Sequence, residues 1–156
     1  MSVTIRPAVA GDVPVLVGLY GDMYAKLMEY DGTYDVDSAV LPELLAIWMK
    51  SKMFNLYVAE QEGALAGFLL AGLAKVERKL KTDGASIVGN YVDIYVAEEY
   101  RCGYIASSLL DAADEWFRSC GVGRAEAVIL CGNSASQALF GKHGLTPFYT
   151  TYHREL

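Results

Sequence analysis

The chain has 156 residues, a formal net charge of −6 and 53% hydrophobic residues. This length favours one domain, residues 1–156, and the apolar content excludes a disordered protein. The acidic balance argues against a nucleic-acid partner, because neutralising phosphates requires clustered Lys and Arg.

The N-terminus, the apolar runs and the cysteines bear on location. The opening stretch MSVTIRPAVAGD lacks the apolar segment of a signal peptide. The longest apolar run, ALAGFLLAGLA, is too short to cross a bilayer and predicts a buried strand instead. Cys102, Cys120 and Cys131 are odd in number and form no CxxC pair, so we expect reduced thiols and a cytoplasmic protein without a membrane partner.

The first half of the chain predicts a strand, two helices and a hairpin. VTIRPA alternates apolar and polar residues and predicts a first strand. Asp12 is a suitable N-cap for a helix over Val13–Met28, and a second helix is predicted over about residues 39–50. Two β runs, FNLYVAEQ and ALAGFLLAGLAKV, meet at Glu62-Gly63 and predict a β-hairpin. The charged residues 77–86 predict a solvated loop.

The second half alternates strands with helices. IVGNYVDIYV predicts a strand; its regular alternation would place Val92, Ile94 and Val96 on one face and Tyr91, Asp93 and Tyr95 on the other. A helix then runs to about Cys120, followed by a strand in RAEAVILC, a short helix in NSASQALFGKH and a last strand in LTPFYTTYHREL. The order β α α β β β α β α β predicts an α/β (α+β) fold, a mixed sheet with helices on both faces.

The segment YRCGYIASSLL, residues 100–110, reads as a loop that opens a helix. The unpaired backbone N–H groups of a helix start carry partial positive charge and can hold a phosphate. Gly103 favours the necessary bend and Arg101 adds a cation. An ordinary turn explains these residues equally well when they are taken alone. Neither a Walker A loop nor a dinucleotide fingerprint is present.

Three blocks of the chain, in order, resemble the GCN5-related N-acetyltransferase (GNAT) family. TIRPAVAGDVPVLVGL is similar to that family's first strand and helix. VDIYVAEEYRCGYIASSLL is similar to its strand, acidic-Tyr-Arg turn and R-x-x-G-x-G/A loop. NSASQALFGKHGL is similar to N-x-x-A-x-x-L-Y-x-K-x-G-F. The resemblance implies a mostly antiparallel sheet with one splayed parallel strand pair.

The resemblance also implies a site for acetyl-CoA as co-substrate. The pantetheine arm would pair with the strand before the loop, at Ile94, Tyr95 and Val96. Asn133 and Phe140, in the third block, match positions near the cofactor. The pyrophosphate would be held by backbone N–H groups of the loop, made of Arg101, Cys102, Gly103, Tyr104, Ile105, Ala106 and Ser107.

Two residues depart from the family pattern. Tyr104 stands in place of the middle glycine, and we expect Gly103 to adopt the unusual backbone angle while the Tyr104 ring turns outward. Phe140 stands where the family usually has a tyrosine that protonates the departing thiolate. The loss of a general acid slows a reaction by roughly 10²–10⁴-fold. A thiol with a pKa of about 8.5 can still leave as the thiolate.

The amine acceptor requires a base and a binding surface. Asp93 is the candidate base, directly or through a water, with Tyr95 beside it on the same strand. A structural carboxylate in a hydrogen bond is an equal alternative for Asp93. Tyr30, Asp31, Tyr34 and Asp35 lie in the helix connection that the resemblance places over the acceptor cleft, and aromatic rings with carboxylates suit a cationic amine. An ordinary polar loop is the alternative there.

The resulting hypothesis is acetyl transfer from acetyl-CoA to a primary amine of a small molecule or peptide, by direct attack in a ternary complex. The alternative is a non-catalytic acyl-CoA-binding or regulatory module. His143 and His153 are far in sequence from other ligand types, so no metal is expected. A homodimer is common in folds of this kind and is expected as a possibility.

Overall fold

The computed structural model describes residues 2–76, 87–101 and 103–156. The charged loop predicted at residues 77–86, and Cys102, lie outside the described residues. The strands are β1 (Val3–Pro7), β2 (Phe54–Gln61), β3 (Ala64–Lys75), β4 (Ile87–Val96) and β5 (Ala125–Ala127). The helices are α1 (Val13–Met28), α2 (Leu41–Lys50), α3 (Ile105–Ser119) and α4 (Ser134–Lys142).

The strands form one sheet in the order β1-β2-β3-β4-β5. Neighbouring strands are antiparallel except β4 and β5, which are parallel. The β2–β3 hairpin turns at the predicted place, where Glu62 and Gly63 have φ angles of 52° and 79°. The α/β class, the mostly antiparallel sheet and the parallel pair are thus confirmed.

Helices cover both faces of the sheet and divide the core in two. Side chains alternate along β3, so Phe68 and Leu70 pack with α1 and α2, whereas Leu69 and Ala71 pack with α3 and Phe140 of α4. All four of these β3 side chains are 0% exposed. Because both faces of the central strands are buried, they read as continuous apolar runs, as the stretch ALAGFLLAGLA does.

Asp12 precedes α1 as predicted, but its side chain bonds to β1 rather than to the first turn of the helix. Its side chain makes no capping bond to the helix. Instead its two carboxylate oxygens accept hydrogen bonds from the Arg6 guanidinium of β1 at 2.8 and 3.0 Å, and Oδ2 also accepts the Val9 N–H at 2.8 Å. The hydrogen bonds from Arg6 lower the pKa of Asp12. The carboxylate therefore joins β1 to α1.

A β-bulge in β4 overturns the regular alternation predicted for this strand. Leu70 of β3 pairs with Asp93 and the next residue, Ala71, pairs with Tyr91, so Val92 has no opposite residue. The extra residue shifts the pleat by one position. Tyr91 therefore packs on the α3 face together with Ile94 and Val96, while Tyr95 packs on the α1 face. The prediction that Tyr91, Asp93 and Tyr95 share a face was wrong.

The last predicted strand is also absent. Residues 145–156 form no helix or strand, and Tyr149 and Tyr152 are 67% and 90% exposed. Strand β5 is shorter than predicted, with only Ala125–Ala127 in the ladder. A strand needs a neighbouring edge to pair with, and Pro147 cannot donate to a ladder, so the strand-like composition of this segment is not realised. Within the part of the chain that is described, no helix is long and apolar enough to cross a membrane.

Candidate active site

The parallel strands β4 and β5 separate part-way along β4. Their pairing ends at Tyr91 opposite Ala127, whereas β4 continues to Val96. The Ala97 N–H bonds to the Ala66 carbonyl at 2.8 Å, which fixes the side of β4 that faces β3. Since neighbouring residues of a strand point their N–H and C=O groups to opposite sides, those of Ile94 and Val96 face away from β3. We call this side of residues 92–96 the open edge.

Arg101 lies at the end of the open edge. Its Nε donates to the Val96 carbonyl at 3.0 Å, and its guanidinium carbon lies 5.4 Å from the centre of the Tyr95 ring. The guanidinium thus occupies a backbone acceptor that an added strand-like ligand would use. Arg101 is exposed, and its long side chain can rotate from the Val96 carbonyl toward an anion bound at the start of α3.

The loop before α3 presents backbone N–H groups, as predicted. The first helical bond is from the Ser108 N–H to the Tyr104 carbonyl at 2.9 Å, so the N–H groups of Ile105, Ala106 and Ser107 precede the helical ladder. The Ser107 hydroxyl also donates to the Tyr104 carbonyl, at 2.8 Å. The helix start is therefore a site with the chemistry to hold a phosphate.

Tyr104 fits this loop without the strain that its position in the motif predicts. Its φ and ψ are −92° and 7°, a conformation accessible to any residue, and it serves as the N-cap of α3. Its side chain is 55% exposed, as expected for a ring that turns outward. The prediction that Gly103 adopts an unusual backbone angle was wrong: its φ lies outside the positive, left-handed range, and a Cβ added to it would meet nothing within 4 Å.

Asp93 lies on the α1 side of β4, beyond the bulge. The hydroxyl of Tyr20, a fully buried α1 residue, donates to Asp93 Oδ2 at 3.0 Å. Burial raises the pKa of Asp93, and the hydrogen bond from Tyr20 opposes that shift only in part. Burial and the nearby Asp93 charge in turn raise the pKa of Tyr20. Asp93 is therefore a carboxylate with an elevated proton affinity, the property that a general base requires.

Aromatic rings lead from Asp93 to the α1–α2 connection. The Tyr20 and Tyr24 ring centres are 6.4 Å apart, and those of Tyr24 and Tyr34 are 6.3 Å apart. Burial and then the charge of Asp93 raise the pKa of Tyr24. At the other end of the connection, Tyr30 lies against Gly132 in the loop after β5, since a Cβ added to Gly132 would be 3.3 Å from the Tyr30 ring.

Asp31 is engaged in a local turn beside these rings. Its Oδ1 accepts hydrogen bonds from the Thr33 N–H at 2.9 Å and the Thr33 hydroxyl at 2.8 Å. These bonds, the backbone one first, lower the pKa of Asp31. Asp31 thus remains an anion next to the ring series, with part of its hydrogen-bonding capacity already used.

Asn133 is the N-cap of α4, and Phe140 lies within that helix. The Asn133 side chain accepts the Ser136 N–H at 3.1 Å and caps the helix. Phe140 is 5% exposed and its ring centre is 5.6 Å from that of Tyr91, where β4 and β5 separate. Phe140 therefore supports the base of the split with an apolar ring.

Sequence reasoning missed Tyr20 and Tyr24 as site residues because they fit the apolar stripe of α1. A signal was available, since a tyrosine hydroxyl in an apolar stripe needs a partner. His143 is the C-cap of α4; its side chain is 13% exposed and its Nε2 lies 2.8 Å from Asp114 Oδ2. Asp114 also accepts the Tyr91 hydroxyl, so this cluster ties α4 and β4 to α3.

Solved structures share this fold. The tetramutant of the BH1408 protein from Bacillus halodurans superposes with a TM-score of 0.85 at 14% identity, over 98% of this chain and 99% of that one. A transcriptional regulator from Bacillus halodurans C-125 gives 0.80 at 18% identity, over 99% and 100%. The aminoglycoside acetyltransferase AAC(6')-Iy, in complex with a bisubstrate analogue, CoA-S-monomethyl-acetylneamine, gives 0.79 at 16% identity, over 100% and 99%.

No curated protein sequence matches the chain. The family model described as "Acetyltransferase (GNAT) family" matches residues 22–145, a range that includes α1 from Asp22 onward, the open edge and α4. With most of the chain matched, and with the sheet split between two parallel strands, the protein belongs to the acetyltransferase (GNAT) family.

Proposed function

We propose that the protein transfers the acetyl group of acetyl-CoA to a primary amine of a small molecule or peptide, by direct attack in a ternary complex. The observation that carries this proposal is the open edge of β4 with Asp93 beside it. The edge offers backbone groups to the cofactor arm, and the start of α3 offers N–H groups to the pyrophosphate. The family match and the CoA-derived ligand of AAC(6')-Iy support acetyl-CoA as the co-substrate.

Ile94 and Val96 would hold the arm through their outward N–H and C=O groups, in the manner of an added strand. The Val96 carbonyl is bonded to Arg101 at 3.0 Å, and we propose that Arg101 leaves that acceptor when the cofactor arm pairs with the strand. The released guanidinium would then be available to the pyrophosphate, and one side-chain movement would both free the edge and supply a cation.

Asp93 would take the proton that an ammonium acceptor must lose, directly or through one water. The neutral amine forms the new C–N bond at the thioester carbonyl carbon, the C–S bond breaks as the thiolate departs, and the nitrogen releases its remaining extra proton to solvent to give the neutral amide. Phe140 has no proton to donate, so the thiolate leaves unprotonated and is protonated by solvent. Tyr95, on the same side of β4 as Asp93, is proposed to orient the acceptor; burial raises the pKa of its phenol, which keeps it neutral.

The acceptor is proposed to be cationic. Tyr24, Tyr34 and Tyr30 provide aromatic faces between Asp93 and the loop after β5, and rings of this kind attract an ammonium ion. AAC(6')-Iy, whose bisubstrate analogue carries an acetylneamine moiety, supports an amine-rich acceptor.

The acceptor surface is tested by removing charge without removing hydrogen-bond acceptors. Replacing Asp31 and Asp35 with Asn keeps an oxygen for Thr33 and Val36, which bond to these carboxylates at 2.8 to 2.9 Å. We expect the KM for the amine to rise while the KM for acetyl-CoA is unchanged. An unchanged amine KM would remove both residues from the site.

The reaction is tested by thiol release from acetyl-CoA across a panel of polyamines, amino acids, aminoglycosides and peptides. Release with any amine supports the enzyme. Asp93→Asn should then lower kcat by roughly 10²–10⁴-fold, because it removes the base. Glu99→Gln, an exposed carboxylate just beyond β4, is the matched control and should retain full activity. Equal activity of the Asp93→Asn variant would exclude Asp93 as the base.

A non-catalytic acyl-CoA-binding or regulatory module is the second candidate. Phe140 favours it, because this buried ring supplies no acid to the leaving thiolate. The fold shared with a Bacillus halodurans transcriptional regulator is compatible with it. Tight CoA binding without thiol release from any amine would establish the module, whereas absence of binding would exclude both candidates.

A further inference from the structure

Helix α3 and the first two strands border a cavity that the fold leaves unfilled. Its volume is about 580 Å³, within the range of small-molecule pockets. Its sheet side includes Ile5 of β1 and Tyr57 of β2. Its helix side is one face of α3, at the i, i+1, i+4 and i+5 spacing, and includes Asp111, Ala112, Glu115 and Trp116. We call this cavity the α3 groove.

The groove exists because a small residue lies in the middle of this helix face. The neighbouring core face of α3, which includes Leu109 and Ala113, is fully buried. Ala112 carries only a methyl group, so α3 does not fill the space beside Ile5 and Tyr57. Both side chains pack with the α3 side of the core, yet they stay partly exposed. Apolar surface is therefore left open to solvent inside a concave site.

Two carboxylates lie at the rim of the groove. Asp111 and Glu115 are one helical turn apart, and both are exposed. Among the described residues, Glu115 forms no ion pair, and Arg118 lies 3.9 Å from Asp114 instead. Asp111 lies 4.0 Å from His143 Nδ1. No lysine or arginine of the described part of the chain lines the groove, so its lining has a negative charge that favours a cation.

Aromatic rings adjoin these carboxylates. Tyr57 and Trp116 are both half-buried and line the groove together with Glu115. The Tyr57 hydroxyl accepts the Asn55 side-chain N–H at 2.9 Å. Burial, and then the charge of Glu115, raise the pKa of Tyr57, so its phenol stays neutral. Neutral aromatic rings beside a carboxylate attract an organic cation, and tryptophan does so more strongly than tyrosine.

The composition of the lining favours an organic cation over a metal ion. A metal ion needs several oxygen, nitrogen or sulfur ligands arranged around one point. The groove instead offers carboxylates at its rim and the apolar or aromatic side chains of Ile5, Ala112 and Trp116 elsewhere. A metal ion would leave this apolar surface uncovered, whereas an ammonium ion with an apolar body would use both parts of the lining.

We propose that the α3 groove binds a small organic ammonium ion with an apolar body. The ammonium group lies beside Glu115 and against the rings of Tyr57 and Trp116. The apolar body covers Ile5 and Ala112. Tyr57 packs on the α3 side of the sheet, whereas Asp93 lies on the α1 side, so this site is separate from the proposed acetyl-transfer site and does not depend on it.

The first test is isothermal titration calorimetry of the full chain with benzyltrimethylammonium, whose nitrogen carries no hydrogen and cannot be acetylated. The wild type should bind this probe at one saturable site. Trp116→Leu should raise the Kd by roughly 2- to 30-fold, the effect of losing a cation–π contact. Glu115→Gln should raise it by roughly 2- to 5-fold, the effect of losing an exposed ion pair. Glu99→Gln, at an exposed glutamate outside the groove, is the matched control and should leave the Kd unchanged.

The second test fills the groove without changing a charge. Ala112→Leu places a larger side chain beside Ile5 and Tyr57 and should abolish saturable binding of the probe. Ala46→Leu, at a half-buried alanine of α2, is the matched control and should bind as the wild type does. Circular dichroism should show that both variants are folded.

The third test locates the probe by tryptophan emission. The chain has two tryptophans, Trp116 in the groove and Trp48 on the α1 side of the core. Trp48→Phe leaves Trp116 as the reporter, and its emission should change saturably with the Kd found by calorimetry. Trp116→Phe leaves Trp48, whose emission should not respond to the probe.

The proposed acceptor surface could also attract the probe, so a variant there separates the two sites. D31N/D35N should bind benzyltrimethylammonium as the wild type does. Loss of binding in D31N/D35N, with Ala112→Leu unaffected, would mean that the probe occupies the acceptor surface and would overturn the proposal. A wild type that shows no saturable binding would overturn it as well.

Discussion

Asp93, the proposed base, illustrates how a residue suited to chemistry can cost stability. The carboxylate is packed between β4 and α1, with the Tyr20 hydroxyl at 3.0 Å as its protein donor. Burial raises the pKa of Asp93, which means that the folded protein favours the protonated carboxyl. A carboxyl group must be ionised to act as a base, whereas the fold favours the protonated form of Asp93.

The sign of this effect leads to a prediction for Asp93→Asn. A raised folded-state pKa means that the free energy of unfolding falls as the pH rises from about 4, the value in unfolded chains, through the folded pKa. Asn cannot ionise, so we expect the variant to be more stable than the wild type at neutral pH, with the difference shrinking toward about pH 4. Urea unfolding at a series of pH values measures this, and a difference that does not vary with pH would contradict it.

The pKa of Asp12 is shifted in the direction opposite to that of Asp93. Arg6 lowers the pKa of Asp12, so the ionised carboxylate stabilises the fold above about pH 4 and this contribution is lost on acidification. We expect Asp12→Ala to lower the free energy of unfolding at neutral pH by about 1.5–3 kcal/mol, the range for hydrogen bonds to charged groups. Glu60→Ala, which removes a more exposed partner of Arg6, should cost less. Equal losses for the two variants would show that burial of Asp12 is unimportant.

At the scale of elements, the proposed cofactor site depends on where the hydrogen-bond ladders of the sheet stop. Strand β4 pairs with β3 from Ile87 to Val96 but with β5 only from Gly89 to Tyr91. Phe117 of α3 packs on Gly89, where the β4–β5 pairing begins, and an added Cβ there would lie 2.7 Å from ring atoms. This glycine lets α3 approach the sheet closely, and α3 begins with the loop proposed to hold the pyrophosphate.

A pair of glycine substitutions tests that packing. Gly89→Ala should lower the free energy of unfolding by about 1–3 kcal/mol, because the methyl group overpacks a buried ring. Gly18→Ala should instead raise it by about 1 kcal/mol, because Gly18 is an exposed residue of α1 with open space around it and alanine is the better helix former. Thermal and urea unfolding measure both, and a neutral Gly89→Ala would mean that Phe117 relocates without cost.

The elements that the sequence predicted well are those with local signals. Helix α1 begins and ends at the predicted residues, and the hairpin turns at Glu62-Gly63. The bulge at Val92 has no local signal, because Tyr91, Val92, Ile94 and Val96 are apolar or aromatic and fit the strand in either phase. The last strand was wrong because strand propensity cannot reveal whether a partner edge exists.

The same distinction applies to the site. Asp93 and the loop at residues 101–107 could be identified from sequence order and motif spacing. The donor to Asp93, Tyr20, lies 73 residues away in sequence, and only the packing of α1 on β4 brings the two together. The exposed ring of Tyr104 at an ordinary φ of −92° likewise depends on the backbone, which the motif departure alone could not reveal. The roles of these residues in catalysis and binding stay predictions.

At the scale of the whole molecule, a ligand that pairs with β4 would bridge the two separated strands and should stabilise the entire sheet. At about 100 times its Kd, a ligand specific for the folded state adds about 2.7 kcal/mol. In a chain of this length each kcal/mol moves Tm by about 2–4 °C, so coenzyme A should raise Tm by about 5–10 °C. Arg101→Glu should reduce this shift, and a wild type whose Tm is unchanged by coenzyme A would exclude the proposed cofactor site.

The unpaired residue at position 92 is what allows Tyr91 and Asp93, two positions apart, to lie on opposite faces of β4. Deleting Val92 would make Tyr91 and Asp93 direct neighbours, and neighbours in a regular pleat also point to opposite faces, so Tyr91 would stay beneath α3 and Asp93 beside Tyr20. The strand would then lose the bend and extra twist that a bulge introduces. In a homologous chain, a gap of one residue here should therefore preserve both side-chain placements and change the course of the strand toward the fork.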